Sequence, residues 1–483
     1  MKKILHLCLF FGILLFIQAC SVTETPISDE TIGNIEPFSR FFDDTKAKSI
    51  TIEITRTEWN RLDDIMLNYH EQYGNFKTDV YARANFIYDD GHDQVVIEDI
   101  GFRTRGNTSR GRIQDDEGNP LMSNFKISFH EDFGLAYLRK NSERTVFEVE
   151  ELDLKYSKFF EEPYYDPTYL TEKFSLDLFR SFGVFAAHAT LVRLYVKIGS
   201  QTTFYGLYTA FEPIDKLFFE RRLPEKEADG DLYKSLWQHY GPASLQLGYH
   251  HDSVGIKNES LNYRPSYDLK NNKRTSDHSA LKSFISAINL KHNEAFLEYI
   301  ESNFDVDQLI RLLAIGVLLG NPDDYRAMGN NYYLFQNAVT KVWMMVPYDY
   351  DHGLGQGWQG PEVFSNFTIG HDIYTWGNLN AVYLNSPGYA HPLTDKILSI
   401  PKYQILYESY LKELIDPNQN LFHPSRFLTL YESQKALYND GLSGAMNNMV
   451  FSKRNIEWYM TEKIKDIDAQ LAFYQMNPNL RGS

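Results

Sequence analysis

Between Gly320 and Gly355 the chain reads GNPDDYRAMGNNYYLFQNAVTKVWMMVPYDYDHGLG, with three acidic or amide pairs in a short span: Asp323 and Asp324, Asn330 and Asn331, Asp349 and Asp351. Moving a phosphoryl group takes a carboxylate that orients the attacking hydroxyl, plus an Asn and an Asp that hold divalent ions against phosphate oxygens. Hard cations such as Mg²⁺ favour these oxygen ligands and use only one or two carboxylates alongside water and substrate. Taken singly, Asn-Pro-Asp-Asp also reads as an Asx-type turn and Asp-Tyr-Asp as a second solvated turn. The constellation as a whole points to metal and phosphate.

The elements that must position these groups follow from periodicity. An apolar run, VDQLIRLLAIGVLLG, predicts a buried helix that delivers Asp323 and Asp324; it is short for a membrane span and carries Asp307 and Arg311. NYYLF (331–335) and KVWMMV (341–346) predict an antiparallel hairpin turning at Gln336–Thr340, which returns Asp349 close to Asn331. Earlier, SITIEIT (49–55) alternates, TRTEWNRLDDIML has helical spacing, and 78–90 and 93–105 flank Gly91 as a hairpin. Next comes the knot Gly106-Asn107-Thr108-Ser109-Arg110-Gly111-Arg112, with Arg103 and Arg105 just before it and the strand NFKISFH (124–130) after it. Backbone N–H groups and guanidinium forks both suit phosphate oxygens, so this turn is a candidate phosphate cradle. Read alone, it is equally an ordinary hairpin turn paired with the chain's many carboxylates. Residues 167–182 predict an amphipathic helix stopped by Gly183, followed by strands at 189–198 and 203–212. Helices dominate from Asp277, with the last at about 393–415, 424–439 and 447–477. A long loop from Gly355 to about Pro392 reads as a lid, a platform for a protein substrate, or variable surface. His250-His251 lacks the helical spacing of a zinc pair and reads as loop.

At these residues the chain resembles the CotH-type spore-coat kinases, whose fold is similar to that of protein kinases but lacks the usual kinase motifs. The resemblance rests on Asn321-Pro322-Asp323-Asp324-Tyr325, Asn330-Asn331-Tyr332-Tyr333-Leu334 and Pro347-Tyr348-Asp349-Tyr350-Asp351 with Gly353 and Gly355. It departs from the family pattern at Pro322, where the family has an aromatic, and at Tyr348, where it has Trp. The resemblance implies a catalytic Asp at Asp323 or Asp324, with Asp323 the closer match, and Mg²⁺ or Mn²⁺ held by Asn331, Asp349 and Asp351. The family's Arg-x-Arg-Gly-Asn-x-Ser-Arg stretch is matched by Arg105, Asn107, Ser109 and Arg110, and its following Lys by Lys126, implying contacts to the phosphates of ATP. A Gly-x-Tyr…Glu run is matched by Gly206, Tyr208 and Glu212, so that Glu212 pairs with Lys126 or sits beside the adenine. By the same resemblance Lys234 and Lys270, on two further strands like the family's, are additional nucleotide-contact candidates.

Residues 1–20 have the form of an export signal: Lys2 and Lys3, an apolar stretch from Ile4 to Ile17, and a lipobox-like Ile17-Gln18-Ala19-Cys20. The expected mature chain begins at a diacylated Cys20 and reaches its folded part through a tether, 21–47. Cys8 leaves with the signal, so no disulfide framework forms and stability rests on the apolar core. With 43% hydrophobic and 15% aromatic residues that core is ample. A formal charge of −16 argues against nucleic acid as a general partner.

The expectation is therefore an α+β, atypical protein-kinase-like two-lobed fold, with a strand-rich N-terminal lobe over 48–275 and a helical C-terminal lobe over 276–483. The function expected is ATP- and metal-dependent phosphoryl transfer to a protein, by a lipoprotein exported to the outer membrane or cell surface. Two other uses of the same residues stay open: a catalytically silent surface binding or assembly lipoprotein, and nucleotidyl transfer from the same pocket.

Overall fold

The computed structural model describes residues 34–134, 141–157, 168–357, 367–384, 390–447, 450–453 and 455–482. The export signal, Cys20 and the first part of the tether lie outside the described residues. The architecture is α+β, built on two apolar cores.

The first core fills a closed seven-stranded barrel. Its strands are β1 (Ser49–Ile54), β2 (Ala82–Asp89), β3 (Gln94–Thr104), β4 (Phe125–Ser128), β5 (Glu151–Tyr156), β6 (Ala189–Ile198) and β7 (Gln201–Phe211), in the order β1-β2-β3-β4-β5-β7-β6. Alternation drives the closure: Ile50, Ile52 and Ile54 of β1 turn inward while Ser49, Thr51 and Glu53 turn out. All neighbours run antiparallel except β1 and β6, whose parallel pairing of Ser49–Ile54 with Arg193–Ile198 closes the barrel. The helix Arg56–Tyr73 starts at Thr55, whose side chain accepts from Glu58 N–H, and stops at Gly74 in the left-handed region. Between those caps it adds Trp59, Leu62 and Met66 to the barrel core.

The second core lies beneath a five-stranded sheet of β8 (Leu232–Ser235), β9 (Val254–Gly255), β10 (Tyr267–Leu269), β11 (Tyr332–Gln336) and β12 (Trp343–Pro347), ordered β12-β11-β8-β10-β9. The expected hairpin is present, with Tyr332 opposite Pro347 and Gln336 opposite Trp343. Helices Ser279–Leu290, Val306–Leu319, Pro401–Ile415 and Ile456–Met476 pack into this core. Val306–Leu319 buries nearly every side chain, which is why its sequence is apolar all round.

Two expectations need correction. The division at residue 275 runs through a sheet: β8, β9 and β10 precede it, yet the pairing of β8 with β11 joins them to β11 and β12 beyond it rather than to the barrel. The single helix expected over 393–415 is two, Pro392–Leu398 and Pro401–Ile415, because Pro401 starts a new helix at its first turn and leaves Ile400 extended. In the described part of the long loop after Gly355, Asn380 supports the Asp323 turn by donating to the carbonyls of Pro322 and Ala327 at 2.7 and 3.1 Å. No helix among the described residues is long and apolar enough to cross a membrane.

Candidate active site

A cavity of about 840 Å³ separates the outer face of the barrel from the five-stranded sheet. Gly320 ends the helix Val306–Leu319 in the left-handed region, and the Asn-Pro turn that follows is tied by Asn321 Oδ1 accepting from Asp323 N–H at 3.0 Å. Here the two neighbouring carboxylates part. Asp323 faces the cavity, where Asn330 Nδ2 donates to one oxygen at 2.7 Å and Asn331 Nδ2 to the other at 2.9 Å. Asp324 turns away to cap the short helix Tyr325–Met328, accepting from Ala327 N–H at 2.8 Å and from the Tyr350 hydroxyl at 3.2 Å. Burial pushes the Asp323 carboxyl up to about 7, with His352 nearby opposing the shift, and pushes Asp324 up to about 6.

The hairpin then does what its spacing implies. Tyr348 N–H donates to Asn331 O at 3.1 Å, placing Asp349 and Asp351 beside Asn331 and Asp323. Asn331 and Asp349 both have positive φ, 55° and 60°, a conformation that costs free energy in a residue with a side chain and collects at functional sites.

Two residues that matter here had not been singled out in the sequence. Lys155 on β5 places its ammonium among three carboxylates: Asp349 at 2.5 Å, Asp351 at 2.8 Å and Glu172 at 2.9 Å. Glu172 belongs to the first turn of the helix Thr171–Ser181. Ligand oxygens of Glu172, Asp349 and Asp351 all lie within 4.8 Å of one another, an arrangement of hard donors suited to Mg²⁺ or Mn²⁺, and Lys155 acts as a tethered cation in their midst. Burial opposes charge on Lys155, but the three carboxylates outweigh it and hold the ammonium well above its usual range. Burial drives the Glu172 carboxyl up, while Lys155 overcomes burial at Asp349 and holds it down. A signal for Lys155 was present in ELDLKY, where Leu152 and Leu154 turn inward and leave Glu151, Asp153 and Lys155 on the cavity face.

Above these groups the barrel wall carries the nucleotide-contact candidates. Arg105 pairs with Asp153 at 3.2 Å and donates to the Tyr348 hydroxyl at 2.7 Å. Lys126 pairs with Glu151 at 2.5 Å and Asp153 at 3.3 Å. Asn107 accepts from Lys77, Ser109 from Asn124, and Arg110 donates to Thr78 O. All three border the cavity with Gly106. Gly106 sits at φ +126°, where a Cβ would meet Ser109 Oγ at 2.7 Å, so only glycine fits this turn. On the opposite wall the Lys234 ammonium lies 4.0 Å over the Tyr348 ring, pushed down to about 7 by burial and by Arg105, and Lys270 pairs with Asp268 at 3.2 Å.

Glu212 is a correction. It borders the cavity but does not pair with Lys126; it is fully buried and takes Arg221 and Arg222 at 2.7 Å each and His188 at 2.9 Å. Burial opposes its charge, yet the hydrogen bonds from His188 and Arg222 hold it well below the usual carboxylate range. Strand β7 delivers it to an arginine pair that follows closely in sequence, which satisfies it locally. His250 and His251 are exposed, His250 capping the 3-10 turn His251–Ser253.

This arrangement, an Asp loop and a carboxylate trio facing a cation-bearing glycine turn across one cavity, lies wholly within residues 103–470, which match the family described as CotH kinase protein. The chain belongs to the CotH family. It is similar to the inner spore coat protein H of Bacillus subtilis (strain 168), with 26% identity over 262 residues, or 54% of this chain and 61% of the relative. The match thus spans about three fifths of that relative's length.

Proposed function

We propose that this chain is a CotH-type phosphotransferase that moves the γ-phosphoryl group of ATP to a hydroxyl of a protein, dependent on Mg²⁺ or Mn²⁺. The observation that carries this reading is that Asp323 opens onto the same cavity as Glu172, Asp349 and Asp351. The position of that cavity between two cores supports a two-lobed, protein-kinase-like reading of the fold.

Asp323 takes the role of general base. Its proton affinity near neutrality is that of a group able to accept the proton of an attacking hydroxyl and release it afterwards. Asn330 and Asn331 fix its two oxygens, so the carboxylate is oriented before a hydroxyl arrives. Asp324, spent on a helix cap, is a positioning residue. Asn331, Asp349 and Asp351, with Glu172, would hold the divalent ion, which when bound supplies positive charge against the nucleotide phosphates. Arg105, Lys126, Lys234 and Lys270 neutralise the remaining phosphate charge, and Asn107, Ser109 and Arg110 line the turn above it. For the whole protein, the reading adds export and anchorage to the cell envelope through a lipid on Cys20.

The test is incubation of the chain with ATP labelled separately on the γ- and α-phosphate, with an acceptor protein mixture and Mg²⁺ or Mn²⁺. Transfer of the γ label that is lost in Asp323→Asn supports the reading. Transfer of the α label would replace it with nucleotidyl transfer, and retention of both labels on nucleotide would leave a binding protein.

A further inference from the structure

Lys155 occupies the centre of the carboxylate trio. Its ammonium lies 2.5 Å from Asp349, 2.8 Å from Asp351 and 2.9 Å from Glu172, each of which offers an oxygen within 4.8 Å of the others. Oxygen ligands close on Mg²⁺ at about 2.0–2.1 Å and on Ca²⁺ at about 2.3–2.6 Å. A divalent ion bound to the same three carboxylates therefore lies in, or directly beside, the place that the ammonium holds. Two cations that close repel, most of all away from bulk water, and each oxygen turned on Lys155 is a charge-assisted acceptor already engaged. The trio can serve the ammonium or the ion, not both.

The fold puts Lys155 there and gives it somewhere to go. On β5, Leu152 and Leu154 turn into the barrel core, while Glu151, Asp153 and Lys155 face the cavity. Glu151 and Asp153 are taken up by Lys126 and Arg105. Lys155 is drawn instead to carboxylates from other elements, Glu172 on the helix Thr171–Ser181 and Asp349 and Asp351 in the turn after β12. Lys155 and all three carboxylates border the cavity. A lysine ammonium rides on a flexible four-carbon stem, so it can leave the carboxylates for an anion in that cavity with no change of backbone.

Resting on the phosphotransfer reading, in which a nucleotide takes this cavity, we propose that Lys155 is an internal competitor of the divalent ion. It holds Glu172, Asp349 and Asp351 closed to free metal and gives them up when the phosphates of a nucleotide take the ammonium, so that metal and nucleotide enter together.

The experiment reads Mn²⁺ binding to the whole protein by electron paramagnetic resonance, with no nucleotide and no turnover. Lys155→Met keeps the length of the stem and removes the charge; it should bind Mn²⁺ about tenfold or more tightly than the parent, because the ligand set gains negative charge and loses its competitor. Mn²⁺ alone should then raise the melting temperature of the variant and leave that of the parent unchanged. Lys155→Gln carries the same expectation and stands in if melts show Lys155→Met unfolded. Adding Asp349→Asn to either variant should remove the gain. Nucleotide binding with a chelator present, read by calorimetry, should be about tenfold weaker in the variant, which has no ammonium to offer the phosphates. Equal Mn²⁺ affinity in parent and variant overturns the inference and leaves Lys155 a structural ion pair. A gain that survives Asp349→Asn also overturns it, by placing the ion elsewhere, and unchanged metal-free nucleotide affinity overturns the release by phosphates. Because the ion is read without ATP, a variant that gains Mn²⁺ in a chain that moves no γ label keeps Lys155 as the competitor and loses the phosphotransfer reading.

Discussion

Replacing Asp324 by Ala removes the acceptor of the Ala327 N–H at 2.8 Å and of the Tyr350 hydroxyl at 3.2 Å. Losing the helix cap costs about 1 kcal/mol, and leaving the Tyr350 hydroxyl buried without a partner costs about 1–3 kcal/mol. Relief of a carboxylate that burial already disfavours returns part of this. The expected net loss is about 2 kcal/mol of stability, whereas Asp324→Asn keeps a capping oxygen and loses less. Asp323→Asn is a different perturbation: an amide placed against the donors of Asn330 and Asn331 costs about 1–3 kcal/mol of fold, and it removes the proton acceptor. General-base removal lowers transfer by about 10²- to 10⁴-fold, while ATP affinity survives because Asp323 is not among the proposed metal ligands. Thermal melts, γ-phosphate transfer and ATP calorimetry on the three variants separate these effects. The reasoning is refuted if Asp324→Asn, still folded, loses as much transfer as Asp323→Asn, or if Asp324→Ala melts like the parent.

Asp349→Asn should abolish Mg²⁺-dependent ATP binding and release Lys155 from its 2.5 Å partner; calorimetry showing unchanged binding with Mg²⁺ present would remove Asp349 from the metal site. Because the folded pKa of Asp323 is raised to about 7 from 3.8, its contribution to metal-free stability is fully present below about pH 4 and is lost as pH rises through 7. Asp323→Asn should flatten that decline, and melts of equal pH slope in parent and variant would contradict the burial argument. Cys20→Ser should leave an unlipidated precursor, since only the thiol takes the lipid, and mass spectrometry of the natural N-terminus that finds no acyl group ends the lipoprotein reading.

Much of the Asp323 loop was legible because its signals are local. Asn321-Pro322 fixes a turn after an apolar helix, and β11 and β12 are continuous apolar and aromatic runs on either side of a short connection, so Asp323, Asn331 and Asp349 had to converge. Lys155 and Glu172 escaped notice for a different reason. A Glu in the first turn of a helix is commonplace for its favourable dipole interaction, and the alternation of ELDLKY puts Lys155 on the outer face of its strand without saying what that face meets. The barrel's closure was equally invisible, because β1 and β6 pair across more than a hundred residues with no turn to announce it. Glu212 misled because the resemblance supplied it with a partner on another strand, while Arg221 and Arg222 stood closer in sequence and in space.

Tyr438, at the end of the helix Pro424–Tyr438, donates to Leu191 O at 2.6 Å on β6 and accepts from Lys48 N–H at 3.1 Å at the mouth of β1. A few residues later Met446 and Asn447 donate to Phe204 and Tyr205 on β7. The seam that closes the barrel is thus clasped by residues made long after all seven strands have been synthesised. A chain emerging from its N-terminus must carry the barrel unclasped through about half of its own synthesis, during the interval when parallel pairing, with its slow loop closure, is most exposed to mispairing. Production of residues 48–275 alone would leave that seam without its clasp and β8 without its partner β11. Fragments for study are better cut from the N-terminal tether than from either half.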